Sequence, residues 1–203
     1  MKTAYGPAAG CWRAVHPQEA STLLGQVPAQ WWVAGGWALD LFVGHQGRSH
    51  KDLDIGILRR DVRQVVGAMS GWEFFEAKGG LLFGPLMSDP EDNVSSLWGR
   101  PCHTREWVLE LMLDDSDGDQ WVFRRERSIR ALDTVIRYDS AGIPFLVPEI
   151  QLLYKAGHIR AEDNLDFERI APHLDDDSRR WLLCALTLVD HYHPWLPILR
   201  TTA

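Results

Sequence analysis

Apolar and polar positions along the 203-residue chain change period several times, and each change predicts an element. Pro17–Leu24 reads as a short helix. Trp31–Ala34 is a compact apolar run stopped by Gly35-Gly36, and Trp37–Val43 follows with Leu39, Phe42 and Val43 at helical spacing up to Gly44. This predicts strand, glycine turn, helix. From Asp52 to Leu58 the pattern alternates, with Leu53, Ile55 and Ile57 on one face and Asp52, Asp54 and Gly56 on the other, as a strand requires. Asp61–Met69 returns to helical spacing. The turn-rich stretch 71–99 holds short strand candidates at Glu73–Glu76 and Leu81–Phe83, with a loop around Asp89-Pro90. Trp107–Leu113 alternates again, and Trp121–Phe123 and Thr134–Arg137 are shorter strand candidates.

After Pro148 the character is helical. Glu149–His158 is opened by a proline, which a first turn tolerates, and Asp163–Ala171 and Asp175–Val189 follow. Gly142, Pro144 and Pro148 cluster at the change, so the predicted division is a mixed-sheet domain over 1–145 and a helical C-terminal subdomain over 146–203. The fold class expected is α+β.

Composition removes several classes. A hydrophobic share of 45% supports a core. No run approaches the ~20 apolar residues of a membrane span. Residues 1–10 carry one lysine and no apolar segment, so no signal peptide is expected. Three scattered cysteines form no CxxC pair, which points to a reducing cytoplasm. The net charge of −7 argues against a nonspecific nucleic-acid binder and suits a cationic small-molecule acceptor. Phosphate-loop GxxxxGK[ST], HExxH and GxSxG motifs are absent.

Candidate chemistry concentrates between residues 35 and 54. Residues i and i+2 of a strand share a face, so the carboxylates of Asp52 and Asp54 converge, which suits one or two magnesium ions completed by substrate phosphates. A strand disfavours aspartate, and its other face is apolar, so the pair calls for a reason. Gly35-Gly36 lies where a strand enters a helix, a place where backbone N–H groups and a helix N-terminus meet phosphate. A third acid is expected on a neighbouring strand. Glu110 interrupts the apolar string from Trp107 to Leu113, and Asp114 and Asp115 compete with it at the strand end. Arg48 is a candidate triphosphate partner and His50 a candidate donor that orients a metal ligand.

Lys155, between Leu152, Leu153 and Ala156, is a candidate phosphate contact, although its residue pattern alone favours a snorkelling surface lysine. Asp163 and Asp166 read as acids favoured at a helix start. His191 and His193 read as a structural turn, and most of the ten tryptophans as core.

Gly35-Gly36-Trp37-Ala38 with Asp40, followed by Arg48, His50 and Asp52-Leu53-Asp54, resembles the signature of minimal nucleotidyltransferases of the DNA polymerase β superfamily. It is most similar to the aminoglycoside and lincosamide nucleotidyltransferase branch. The resemblance implies a mixed-sheet core flanked by helices, magnesium, and a nucleoside triphosphate donor, usually ATP. It implies metal ligation by Asp52 and Asp54 with Glu110 as third carboxylate, a phosphate-binding turn at Gly35 and Gly36, and a small-molecule acceptor such as an aminoglycoside or lincosamide. A toxin-like enzyme acting on protein or RNA and an inactive nucleotide-binding module are the alternatives.

Overall fold

The computed structural model describes residues 3–5, 11–131 and 133–201. The expectation of no signal segment falls on residues 1–10, mostly outside that range. Ten strands form one mixed sheet among the described residues. In chain order they are β1 (Thr3–Tyr5), β2 (Trp31–Val33), β3 (Asp54–Leu58), β4 (Trp72–Lys78), β5 (Leu81–Gly84), β6 (Ser96–Pro101), β7 (Leu109–Asp117), β8 (Gln120–Val122), β9 (Ile136–Tyr138) and β10 (Pro144–Leu146). Their order across the sheet is β1-β5-β4-β6-β7-β3-β2-β10-β9, and β8 pairs with the far end of β7. β3 runs parallel to β7 and β10 parallel to β2; the other pairs are antiparallel. Seven helices flank the sheet: α1 (Pro17–Leu24), α2 (Gly35–Val43), α3 (Val62–Ala68), α4 (Pro148–Ala156), α5 (Ala161–Ile170), α6 (Asp176–Val189) and α7 (Leu196–Thr201). This is the α+β architecture that the patterning predicts.

The two alternating stretches become the centre of the sheet. Leu53, Ile55 and Ile57 are wholly buried, as are Leu109 and Leu111 beside them. A glycine is required within β3. A Cβ on Gly56 would lie 1.9 Å from the Trp32 indole nitrogen, because the Trp32 ring crosses over it from the adjacent β2. The same apolar core continues from Ile55 and Leu111 into Leu152, Phe167, Leu182 and Leu186 of the C-terminal helices.

Several elements differ from the sequence reading. Asp52 lies just before β3, not on it, although Leu53 already joins the ladder by accepting from the Glu110 N–H at 3.0 Å. β6 lies in the turn-rich stretch, where Trp98 and Gly99 break a clear alternation. β10 occupies the Gly/Pro cluster. Its only proline, Pro144, is the first residue of the strand, a position where a missing N–H is tolerated. β1 and α7 were not anticipated, and no helix among the described residues is long and apolar enough to cross a membrane.

Candidate active site

The β2–α2 junction sits directly on the start of β3. The Ala34 N–H donates to the Asp54 carbonyl at 2.8 Å. Gly35 then opens α2 at φ +65°, and a Cβ there would fall 1.9 Å from Asp54 Oδ2. Only glycine meets both conditions. On Gly36 a Cβ would fall 2.4 Å from the His50 ring and 2.6 Å from Arg48 Nη2. The diglycine therefore lets the helix N-terminus rest on the carboxylate and on the Arg48–His50 segment at once. Residue Ala34 provides no side-chain cap for this helix. The Gly35 N–H instead donates to Gln151 Oε1 of α4 at 2.7 Å.

Asp54 and Glu110 are register partners on the parallel strands β3 and β7. Removal from bulk water, then the negative charges of Glu110 and Asp52, push the Asp54 pKa up to about 8. Burial also raises Glu110, against a lowering contribution from Ser96, with Asp52 pressing in the same upward direction. Lys155 and Arg160 offset the rise of Asp54 only in part. Among the described residues no group of three or more Asp, Glu, His or Cys is placed so that it could hold a metal ion. Magnesium completed by phosphate oxygens needs only one or two carboxylates, a number that a pair from Asp52, Asp54 and Glu110 could supply.

The competing acids are engaged elsewhere. Asp114 accepts from the Tyr154 hydroxyl at 2.5 Å; burial, offset in part by that bond, raises its pKa to about 6. Asp115 pairs with Arg59 at 3.2 Å and Arg127 at 3.0 Å, outside the cleft.

Among the described residues His50 hydrogen-bonds to Asp40 and to none of Asp52, Asp54 and Glu110, a different partner from the one the sequence reading gives it. Its Nε2 lies 2.6 Å from Asp40 Oδ2 and its ring packs on Trp37 at 4.4 Å. Asp40 also accepts from the Gly47 N–H at 3.1 Å and from Arg169. Burial would raise its pKa, but the bonds to His50, Arg169 and Gly47 outweigh this and hold it below the usual carboxylate range.

Lys155 is a second correction. It is buried, not a snorkelling surface residue, and its Nζ lies 2.8 Å from Asp163 and 3.0 Å from Asp166. Those two aspartates are therefore more than helix-start acids. Asp166 also pairs with Arg48 at 3.3 Å, and Asp163 with Arg160 at 2.9 Å. This network ties α4 and α5 to the segment carrying the signature. Its sequence signal was the spacing of Asp163, Asp166 and Arg169 three residues apart on one helical face.

His193 is structural, as its sequence context suggests. It accepts from the Trp195 N–H at 3.2 Å and sits 3.3 Å from the Ala156 carbonyl.

A cleft of about 940 Å³ unites these groups. All eight residues singled out from the sequence line it: Gly35, Gly36, Arg48, His50, Asp52, Asp54, Glu110 and Lys155. Sequence reasoning missed Gln151 and Tyr154, three residues apart on α4, and Arg124 and Arg125, whose loop carries no periodic signal.

Comparison with known proteins fits this geometry. Residues 18–77 match the family model of aminoglycoside-2''-adenylyltransferase. The lincosamide antibiotic adenylyltransferase LnuA, solved with lincomycin, superposes with a TM-score of 0.52 at 18% identity over 74% of this chain and 91% of its own. ANT(2")-Ia in complex with adenylyl-2"-tobramycin gives 0.46 at 13% identity over 90% and 91%. A nucleotidyltransferase-like protein from Paracoccidioides brasiliensis gives 0.48 at 17% over 89% and 88%. No curated protein sequence matches the chain. The fold is that of the nucleotidyltransferases, and the chain resembles their aminoglycoside and lincosamide branch.

Proposed function

We propose that this chain is a magnesium-dependent nucleotidyltransferase that moves a nucleoside monophosphate, AMP from ATP, onto a hydroxyl of a small acceptor. The observation that carries the reading is the pairing of Asp54 with Glu110 beside the N-terminus of α2, where Ala34 offers no side-chain cap. Acids that repel one another, beside a helix end that attracts anions, suit a polyphosphate and its counter-cation.

Asp52 and Asp54, with Glu110 beside them, would hold magnesium, which would supply positive charge at the reacting phosphorus. The N-terminus of α2 at Gly35-Gly36 receives the triphosphate, and Arg48 and Lys155 add positive charge to the same wall. Glu110 takes the proton of the acceptor hydroxyl as its oxygen bonds to the α-phosphorus. The bond from that phosphorus to the β-phosphate oxygen breaks, and pyrophosphate leaves. The chain's own contribution is positioning and charge, as in phosphoryl transfer generally. The match over residues 18–77 makes aminoglycosides the first acceptors to test, and the likeness to the lincosamide adenylyltransferase adds lincosamides. Three exposed free cysteines suit a reducing cytoplasm.

The test is pyrophosphate release from ATP and magnesium across a panel of hydroxyl acceptors. Acceptor-dependent release that disappears in Asp54→Asn supports the assignment. Release that survives Asp54→Asn overturns it.

A further inference from the structure

The net charge of −7 suggests a cationic acceptor, yet the cleft carries that charge differently from the chain as a whole. Six acids and six Lys or Arg residues line it. Three of the acids are the convergent set Asp52, Asp54 and Glu110. The other three are engaged: Asp114 by Tyr154, Asp163 by Lys155 and Arg160, and Glu162 by Arg160 at 2.7 Å. No lining carboxylate remains for a polyamine.

The bases divide the opposite way. Arg48, Lys155 and Arg160 are paired with carboxylates. Lys51 is exposed, and Arg124 and Arg125 hydrogen-bond to carbonyl oxygens, with Arg125 also over the Phe123 ring at 5.9 Å and the charge of Arg124 acting on Asp114. Arg124 donates to Val94 at 3.4 Å and Asp92 at 3.2 Å, and Arg125 donates to Tyr154 at 3.5 Å. Two adjacent guanidiniums that form no salt bridge among the described residues, on the wall of a concave cleft, can recognise an anion.

Their place in the sheet decides which substrate meets them. Across the sheet the order is β2 with its helix α2, then β3 with Asp54, then β7 with Glu110. An in-line displacement sends pyrophosphate toward the α2 N-terminus, so the acceptor oxygen arrives from the β7 side. Arg124 and Arg125 follow β8, the partner of β7, and line the cleft there with Asp114 and Tyr154.

Resting on the transferase reading above, we infer that the acceptor is a small hydroxyl compound bearing a carboxylate or phosphate, bound by Arg124 and Arg125, and not a polycation. The cleft volume of about 940 Å³ lies within the range of small-molecule sites, ~300–1,000 Å³.

The test is calorimetry on the full chain loaded with magnesium and an ATP analogue methylene-bridged between its α- and β-phosphates. The titrants are glycerol 3-phosphate, gluconate, tobramycin, lincomycin and a short RNA with a free 3′ hydroxyl. At least one of the two small anions binds more tightly than tobramycin and lincomycin. Arg125→Gln and Arg124→Lys weaken that anion at least tenfold while changing the affinity for the analogue by less than twofold. Arg125 is exposed, so its variant is not expected to disturb folding. Tighter binding of tobramycin, lincomycin or RNA overturns the inference, as does failure of both anions to bind, or a loss that falls on the nucleotide analogue. Failure of the analogue itself to bind in the presence of magnesium overturns the transferase reading as well, which separates the two claims.

Discussion

Gly35 and Asp54 are matched: the place where a side chain on the glycine would begin is 1.9 Å from the aspartate's Oδ2. Gly35→Ala must therefore displace either the helix N-terminus or the carboxylate, and it also puts a Cβ on a residue at φ +65°, which costs about 1–2 kcal/mol. A shift of about 1 Å in a positioning element lowers rates about 100-fold. The expected result is a fall in kcat/KM of at least that size with a loss of stability of only about 1–2 kcal/mol. Steady-state kinetics and urea denaturation read the two together. Near-normal kcat/KM would separate the turn from the chemistry.

Gly56 contrasts with it. The atom met by its Cβ is the buried Trp32 indole nitrogen, within the core and away from the cleft. Gly56→Ala overpacks the sheet and is expected to lower stability by about 1–3 kcal/mol. That corresponds to a Tm decrease of several degrees in a chain of this size. An unchanged denaturation midpoint would contradict the packing described for β2 and β3.

The Lys155 network predicts a behaviour in acid. Burial alone would raise Asp163, but bonds from Arg160 and Lys155 reverse this and lower its pKa to about 2, against 3.8 ordinarily. A carboxylate lowered on folding contributes stability that is complete above 3.8 and is lost as pH falls from there toward about 2. Urea midpoints of the wild type should decline across that window more steeply than those of Asp163→Asn, which is less stable throughout. Parallel curves would show that Asp163 is not held as described. Lys155→Met leaves two buried aspartates short of a partner and is expected to cost about 3–5 kcal/mol.

The central β-strands and most helices were legible because their periods are clean. The α1 bounds, the alternation of β3 and the leucines of β7 each reflect one buried face. The site acids were legible for the same reason, since Asp54 and Glu110 interrupt apolar alternation. β6 and β10 were hidden because glycine, proline and tryptophan mask a period of two in strands this short. What His50, Lys155, Asp163 and Asp166 contact was not legible. The spacing of Asp163 and Asp166 shows a shared helical face but not what meets it: Lys155 lies 8 residues before Asp163, and Arg48 lies 118 residues before Asp166.

The central claim is transfer of a nucleoside monophosphate, and the most direct measurement follows the phosphorus. ATP labelled at the α-phosphate and ATP labelled at the γ-phosphate are incubated in parallel with the protein, magnesium and an acceptor. The account predicts that α-label appears on the acceptor and γ-label in pyrophosphate, both lost in Asp54→Asn. Appearance of the γ-label on the acceptor, or of the α-label only in free AMP, would contradict it.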